Sequence, residues 1–364
     1  MSVPNEKTAL VAMSGGVDSS VAAYLMLADG YDCLGVTMRL FRNPDIGRSS
    51  AHPCCSQEDI DDASEVAFAL DIPHIVPDLT GQFREQVMDK FVRCYNQGQT
   101  PNPCIDCNRY MKFEHLFHLA DERGMRFIVT GHYARVEYDG AAGRYLLKKA
   151  LDESKDQSYV LYMLTQAQLS RIRFPLGGMR KSDVRALAEA QGFCNARKHD
   201  SQDICFVPDG DYGRFLETYT GRAGREGALL DGNGRVIGTH RGAERYTIGQ
   251  RRGLGFAAGE RVYVVAKDME RNIVTLGPNA ALYSRCLMAG DLNWISIPSL
   301  HDSIRCRAKV RYRQTEQWAT VSPAEEGSVR VTFDEPQRAI TPGQAVVFYD
   351  GDTVIGGGTI LDAM

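Results

Sequence analysis

Two rhythms of apolar and polar residues divide this chain. Up to about Cys205, short apolar runs alternate with stretches of helical period. KTALVAM (7–13) predicts a buried strand, and SSVAAYLMLAD (19–29) the helix after it. YDCLGVTMRL (31–40) predicts the next strand. A helix follows over Glu58–Leu70, opened by the capping pair Ser56 and Asp59. HIVPDL (74–79) reads as a short strand, and Gln82–Gln97 as a helix that Gly98 stops. The loop NPCIDCN (102–108) leads into a helix, RYMKFEHLFHLADE (109–122), and a strand, RFIVTGHYA (126–134). Strand and helix in alternation predict a parallel sheet with helices on both faces.

Beyond Cys205 the helical period fades and glycine becomes frequent. Short alternating runs take over: RVYVVAK, NIVTLG, SVRVTF, AVVFYD and TVIGGGTI, with DGNG and YDGD as turn signals. The expectation is an α/β domain over residues 1–206, a small β-rich domain over 207–280 and a C-terminal β-barrel over 281–364. The borders are expected near Phe206–Pro208 and Pro278–Ser284.

Composition changes this picture little. The 364 residues are 24% charged and 43% hydrophobic, ordinary for a soluble globular protein. A net charge of −4 means that any nucleic-acid partner must be held by a local basic patch. No apolar run approaches the ~20 residues that span a bilayer, and the N-terminus lacks a signal peptide's apolar core. A cytoplasmic monomer without membrane attachment is expected. Ten cysteines in such a protein are not a disulfide framework. Cys33, Cys94 and Cys306 lie within apolar patterns and read as buried, inert thiols.

Met13-Ser14-Gly15-Gly16-Val17-Asp18-Ser19-Ser20 follows the first strand and opens the first helix. Two glycines let the backbone turn and aim N–H groups inward. Three serines add hydroxyl donors, and the helix points its positive end at the same spot. This is a phosphate cradle without the Gly-Lys-Ser/Thr of a Walker A loop. A plain Gly-rich turn would account for the glycines, but not for Asp18 among serines at the C-terminal edge of a parallel sheet. SGGVDS resembles the signature of the PP-loop ATP pyrophosphatases. The resemblance implies cleavage of ATP to AMP and pyrophosphate, with AMP passed to a substrate oxygen and Mg²⁺ neutralising the pyrophosphate. It sets Asp18 beside that metal. Met38 and Gly131, near the ends of two other predicted strands, should border the same crevice and contact adenine or ribose. Core packing is the plainer reading of Met38.

Cys104 and Cys107 form a CxxC, which by itself fits a metal site, a redox pair or a nucleophile. A zinc site would need four ligands, and the adjacent Cys54 and Cys55 are an awkward chelate to complete it. A thioredoxin-type pair leaves the phosphate loop unexplained. Cys205 stands among polar groups in Asp200-Ser201-Gln202-Asp203-Ile204-Cys205-Phe206. A helix expected to begin just after Cys107 would favour its thiolate.

In order, the PP-loop, TPNPCIDCN, TGHYA, KDQSY, SQDICF and YTIGQRRGLG are similar to the bacterial tRNA-specific 2-thiouridylases, over nearly the whole chain. That resemblance implies ATP-dependent 2-thiolation of the wobble uridine of tRNA. The uracil C2 oxygen is adenylated, sulfur replaces it, and AMP and pyrophosphate are released. It implies Cys107 as nucleophile and Cys205 as persulfide carrier. ATP would lie on Ala12, Met13, Ser14, Gly15, Gly16, Val17, Asp18, Ser19, Met38 and Gly131. Asn102, Pro103 and Cys104 would meet the target base. His132, Lys155, Asp156, Gln157, Arg311, Tyr312 and Gln344 would contact tRNA. Two sulfur routes stay open. In one, a cysteine desulfurase or relay protein loads Cys205, and the reaction ends in a Cys107–Cys205 disulfide. In the other, Cys104, Cys107 and Cys205 hold a four-iron four-sulfur cluster with one open iron.

Arg305 to Arg313 adds a basic pattern. Read as a strand, residues 305, 307, 309, 311 and 313 share one face, roughly 6.5–7 Å apart. Such a row tracks a phosphate backbone; a solvated face is the alternative, but five like charges in a line repel one another and favour an anion. Arg245, Arg251 and Arg252 would extend it. Two other functions fit part of the chain. A PP-loop ligase or amidating synthetase would need neither Cys107 nor Cys205. A non-catalytic RNA-binding or cluster-carrying protein would not need Asp18.

Overall fold

The computed structural model describes residues 6–46, 57–200, 204–207, 210–255 and 261–364. Ser56, Cys54 and Cys55 lie outside the described residues, as do Ser201, Gln202, Asp203 and Pro208. The chain forms two units. The first holds the residues up to Val87, Cys104–Gly210 and Asp352–Val354; the second holds Met88–Pro103, Asp211–Gly351 and Ile355–Met364. Among the described residues no helix is long and apolar enough to cross a membrane.

The first unit contains β1 (Thr8–Ala12), α1 (Val17–Ala28), β2 (Asp32–Val36), α2 (Gln57–Ala69), β3 (His74–Ile75), β4 (Phe127–Val129), β5 (Arg135–Asp139), β6 (Arg144–Lys148) and β7 (Ile172–Arg173). Five strands make a sheet in the order β3-β2-β1-β4-β7, and every pairing in it is parallel. Ala9 and Val11 share a buried cluster with Val21 and Ala22 of α1, Ala63 and Val66 of α2, and Val184 and Ala188 of the Lys181–Ala190 helix. Leu10 and Ile128, which alternate to the other face, are also fully buried. A central parallel strand buried on both faces is what its unbroken apolar run encodes. Because β1 pairs with both β2 and β4, the chain leaves β1 to one side and returns to the other. At such a switch point a crevice opens beyond the C-terminal strand ends.

Three elements differ from those that the apolar pattern predicts. The antiparallel hairpin β5–β6 interrupts the expected alternation. The helix after NPCIDCN starts within that motif: Pro103–Asp106 is α-helical, Cys107–His115 is π-helical and Leu116–Glu122 is α-helical again. Proline suits a first helical position because its φ is preset and its missing N–H would have no helical partner there. Beyond Cys205, where no helix is expected, Tyr212–Thr220 forms one. The Asp211 carboxylate caps it by accepting from Arg214 N–H at 2.9 Å, and Gly221 at φ +65° ends it. Its aromatic residues, weak helix formers that hide the period, dock instead: Phe215 meets Phe91 at 5.8 Å, and Tyr212 stacks on Tyr95 at 6.0 Å.

The second unit also holds the Asp89–Asn96 helix, and most of what remains of it is β-structure. β8 (Gly227–Leu230), β9 (Val236–His240), β10 (Tyr263–Asp268) and β11 (Ile273–Gly277) form a sheet in the order β10-β11-β8-β9 around Leu229, Val264 and Val274. β12 (Tyr283–Trp294), β13 (Ile304–Lys309), β14 (Gln317–Pro323), β15 (Val329–Arg338), β16 (Ala345–Asp350) and β17 (Thr353–Ala363) follow in the order β12-β15-β14-β13-β16-β17. β12 also pairs with β17, which closes a barrel over Leu287, Ala308, Val331 and Phe348.

Candidate active site

The loop from β1 to α1 is knitted by its own serines. Ser19 Oγ accepts from Ser14 N–H at 3.1 Å, and Ser19 Oγ and Ser20 Oγ both donate to the Gly16 carbonyl, at 2.9 and 3.2 Å. Gly15 sits at φ +73°, and a Cβ there would lie 2.2 Å from the Asp59 carbonyl oxygen, so only glycine fits. Gly131, just past β4, backs onto the same loop. A Cβ on it would lie 2.8 Å from both the Asp18 carbonyl carbon and the Ser19 nitrogen. The ends of β1 and β4 therefore meet at the switch-point crevice, with Met38, 9% exposed, just past β2.

Asp18 is held by residues that no motif singled out. Lys181 Nζ stands 2.7 Å from each Asp18 carboxylate oxygen, and Tyr133 Oη donates to Oδ1 at 2.7 Å. The same ammonium is 2.8 Å from Asp200, which also binds Lys155 at 2.8 Å and Arg185 at 3.0 Å. Burial alone would raise the Asp200 pKa, but hydrogen bonds from Lys155 and Lys181 outweigh it and bring it to about 2. Burial and the Asp18 charge push the Tyr133 phenol far above its usual range, so it remains a donor. Behind the loop, Asn195 donates to the Gly15 carbonyl at 3.1 Å and to Ser20 Oγ at 2.9 Å. Lys198 binds Asp59 and Asp62 at 2.6 and 2.5 Å. Burial pulls the Lys198 pKa down, and these two carboxylates raise it by more. No spacing rule links these partners to the loop; only the fold brings them there.

The cysteines differ in setting. Cys104 is exposed, whereas Cys107 and Cys205 are half-buried. Because the helix begins at Pro103, its first turn holds Cys104, and Cys107 opens the π-helical stretch beyond it. The expected dipole effect on Cys107 is corrected accordingly, since that effect fades within the first turn. Met111 and Phe113 anchor the π stretch in the core. Asn108, 2% exposed, donates to the Val160 carbonyl at 2.9 Å. Cys205 is fixed by its neighbour Phe206, whose ring meets Phe83 edge-on at 5.7 Å. Among the described residues no group of three or more His, Cys, Asp or Glu side chains is arranged to hold a metal ion. Cys33 and Cys306 are 2% exposed, and burial raises their thiols to about 11 and about 12. Cys94, expected to be buried, is only half-buried.

Comparison with known proteins bears on what this site serves. Residues 7–209 match the tRNA methyl transferase HUP domain, 213–278 the tRNA methyl transferase PRC-barrel domain and 284–360 the aminomethyltransferase beta-barrel domain. The tRNA-specific 2-thiouridylase MnmA of Heliobacterium modesticaldum is 50% identical over 98% of this chain and 93% of its own. That of Symbiobacterium thermophilum is 51% identical over 99% and 94%. That of Acetivibrio thermocellus is 48% identical over 98% and 99%. The chain belongs to the tRNA-specific 2-thiouridylase family.

The residues that this family resemblance assigns to RNA have partners inside their own units. His132 is 6% exposed, with its ring 6.0 Å from Phe113 and 5.8 Å from Phe174. Burial, then the charge of Lys112, hold its pKa well below the usual range, so the ring is neutral. Lys155 binds Asp200, Asp156 accepts from Ser158 Oγ at 2.7 Å, and Gln157 Oε1 accepts from Tyr133 N–H at 2.9 Å. In the second unit, Arg311 donates to the carbonyls of Ile248 and Ala339 and to Thr341 Oγ1, and Gln344 donates to the Thr100 carbonyl at 2.7 Å. Tyr312 is 36% exposed. Asn102 is half-buried and Pro103 buried. The expected row of five cations is corrected to three: β13 ends at Lys309, and Arg311 and Arg313 lie in the turn beyond it. Trp318, 47% exposed and opposite Arg307 across β13–β14, lies 5.2 and 5.1 Å from the guanidiniums of Arg305 and Arg307, an aromatic feature the sequence reading overlooked. Arg245 pairs with Glu217, which balances its charge within the unit.

Proposed function

We propose that this protein is an ATP-dependent tRNA sulfurtransferase that replaces the C2 oxygen of the wobble uridine with sulfur. The observation that carries the reading is the Ser14–Ser19 loop at the β1/β4 switch point, backed by Gly131, with Asp18 held between Lys181 and Tyr133. Phosphates of ATP lie on the loop N–H groups and the start of α1. Lys181 shares its charge between Asp18 and that phosphate. The Asp18 side chain, 30% exposed, suits Mg²⁺, an ion that takes one or two carboxylates and completes its shell with phosphate and water. Held by Asp18, such an ion would supply charge neutralisation at the pyrophosphate.

The C2 oxygen attacks the α-phosphorus, pyrophosphate leaves, and C2 becomes electrophilic. Cys205 carries the incoming sulfur as a persulfide, loaded by a cysteine desulfurase or relay protein. The Cys107 thiolate attacks the Cys205 sulfur, and the terminal sulfur is released as a sulfide that adds to C2 as AMP departs. The two cysteines are oxidised as that sulfur is reduced. Their disulfide is then reopened by an external thiol. Arg311, Tyr312 and Gln344 hold the tRNA, with Asn102, Pro103 and Cys104 toward the target base. A contact from His132 requires its ring to emerge from between Phe113 and Phe174.

Nucleoside mass spectrometry of tRNA from cells lacking the protein tests the reading. Loss of 2-thiouridine, restored by the unaltered chain but not by Cys107→Ser or Cys205→Ser, is expected. Unchanged 2-thiouridine, or loss of a methylated uridine instead, would overturn it.

A further inference from the structure

The segment Lys155–Val160 reaches three functional neighbourhoods at once. Lys155 Nζ binds Asp200, five residues before Cys205, at 2.8 Å. Gln157 and Tyr133 form a reciprocal pair: Tyr133 N–H donates to Gln157 Oε1 at 2.9 Å, and Gln157 N–H donates to the Tyr133 carbonyl at 2.9 Å. Tyr133 in turn holds Asp18 through its phenol. The Val160 carbonyl accepts from Asn108, the residue after Cys107, at 2.9 Å. Asn108 is 2% exposed and its Oδ1 is buried without a partner. Such an orphaned oxygen costs about 1–3 kcal/mol, which an apolar residue at this place would avoid. The segment itself is pinned, because Ser158, Tyr159 and Leu161 are all 0% exposed. A simple RNA-contacting loop needs none of these bonds.

We propose that Lys155–Val160 is a positioning junction. Gln157 sets Tyr133 against Asp18 for the adenylation step, and the Val160 carbonyl, through Asn108, sets Cys107 for sulfur release. The inference rests on the thiolation reading above. It makes Gln157 and Asn108 positioning residues for two different steps, and it gives Gln157 a role other than holding tRNA.

The test uses the full chain with an unmodified tRNA carrying a wobble uridine, and reads three quantities. These are the tRNA Kd, the rate of pyrophosphate release on adenylation, and single-turnover 2-thiouridine formation from Cys205 loaded by a cysteine desulfurase. Gln157→Ala should slow pyrophosphate release by about tenfold or more with the Kd within about twofold. Gln157→Glu, which keeps an acceptor for Tyr133 N–H, should recover most of that rate. Asn108→Ala should leave pyrophosphate release within about twofold and slow 2-thiouridine formation by about tenfold or more. If the alanine variant does not fold, Asn108→Ser is read in the same assays. The junction is overturned if Gln157→Ala weakens tRNA binding about tenfold with pyrophosphate release at saturating tRNA unchanged, or if the Asn108 variants slow both steps alike or neither. An unaltered chain that makes neither pyrophosphate nor 2-thiouridine overturns the thiolation reading and this inference with it.

Discussion

The ammonium of Lys181 stands 2.7 Å from both carboxylate oxygens of Asp18, 163 residues away in the sequence. It is 8% exposed and also reaches Asp200, so one cation neutralises two carboxylates in a part-buried site. Lys181→Met strips Asp18 of this ammonium, whereas Asp200 keeps Lys155 and Arg185. Removing one partner of a fully buried pair costs about 3–5 kcal/mol; here roughly 2–3 is expected, because the Asp18 side chain is 30% exposed. Urea unfolding measures that loss. AMP formation with tRNA should fall by about 100-fold or more, since a preorganised cation at the phosphates is removed. A rate within about twofold of the unaltered chain would take Lys181 out of the reaction.

Gly131→Ala tests the crevice from its other side. The atoms a Cβ would meet at 2.8 Å are backbone atoms of Asp18 and Ser19, which cannot swing aside as a flexible side chain would. The phosphate loop must shift to admit the methyl. ATP affinity should fall at least about tenfold, or about 1.4 kcal/mol, while the barrel and tRNA binding stay intact. Calorimetric titration with ATP reads it, and an unchanged Kd would separate Gly131 from the nucleotide.

Much of this was legible in the sequence. The apolar runs of β1 and β2 and the Gly15–Ser20 pattern specify a buried parallel strand feeding a phosphate loop, because strand burial and a turn at positive φ both constrain residue type locally. Lys181, Tyr133, Asn195 and Lys198 were not legible. Each acts through one long-range bond to the loop, and a lone lysine or tyrosine carries no spacing that names its partner. The first turn at Pro103 was misread because NPCIDCN has the composition of a loop. The Tyr212–Thr220 helix was missed because its aromatic residues hide the helical period and are selected by docking on Phe91 and Tyr95.

Asp200 makes stability depend on pH in a predictable direction. Its folded-state pKa is lowered from 3.8 to about 2, by bonds from Lys155 and Lys181 that outweigh burial. The unfolded chain therefore takes up this proton first as pH falls. The stabilisation is fully present above the unfolded value of 3.8 and is lost as pH falls through about 2. Asp200→Asn should lower stability at neutral pH and flatten its decline over that acid window. Unfolding midpoints across the window check this, and parallel curves for the two proteins would show that Asp200 contributes nothing to the slope.

Cys104 and Cys107 should separate in reactivity and in function, in opposite senses. Cys104 is exposed and lies in the first helical turn, open to a reagent in solution. Cys107 is half-buried and opens the π-helical stretch beyond that turn. Iodoacetamide at neutral pH should therefore modify Cys104 before Cys107, as mass spectrometry of the peptide spanning both would show. Function should run the other way. The persulfide route requires a sulfur at Cys107 to release the one on Cys205, and asks none of Cys104. Cys104→Ala and Cys104→Asp should both retain 2-thiouridine formation, and Cys107→Ala should abolish it while pyrophosphate release from ATP on adenylation of tRNA persists. Loss of 2-thiouridine in both Cys104 variants, with folding and pyrophosphate release intact, would instead require a third sulfur in the transfer step, and the two-cysteine route would have to be abandoned.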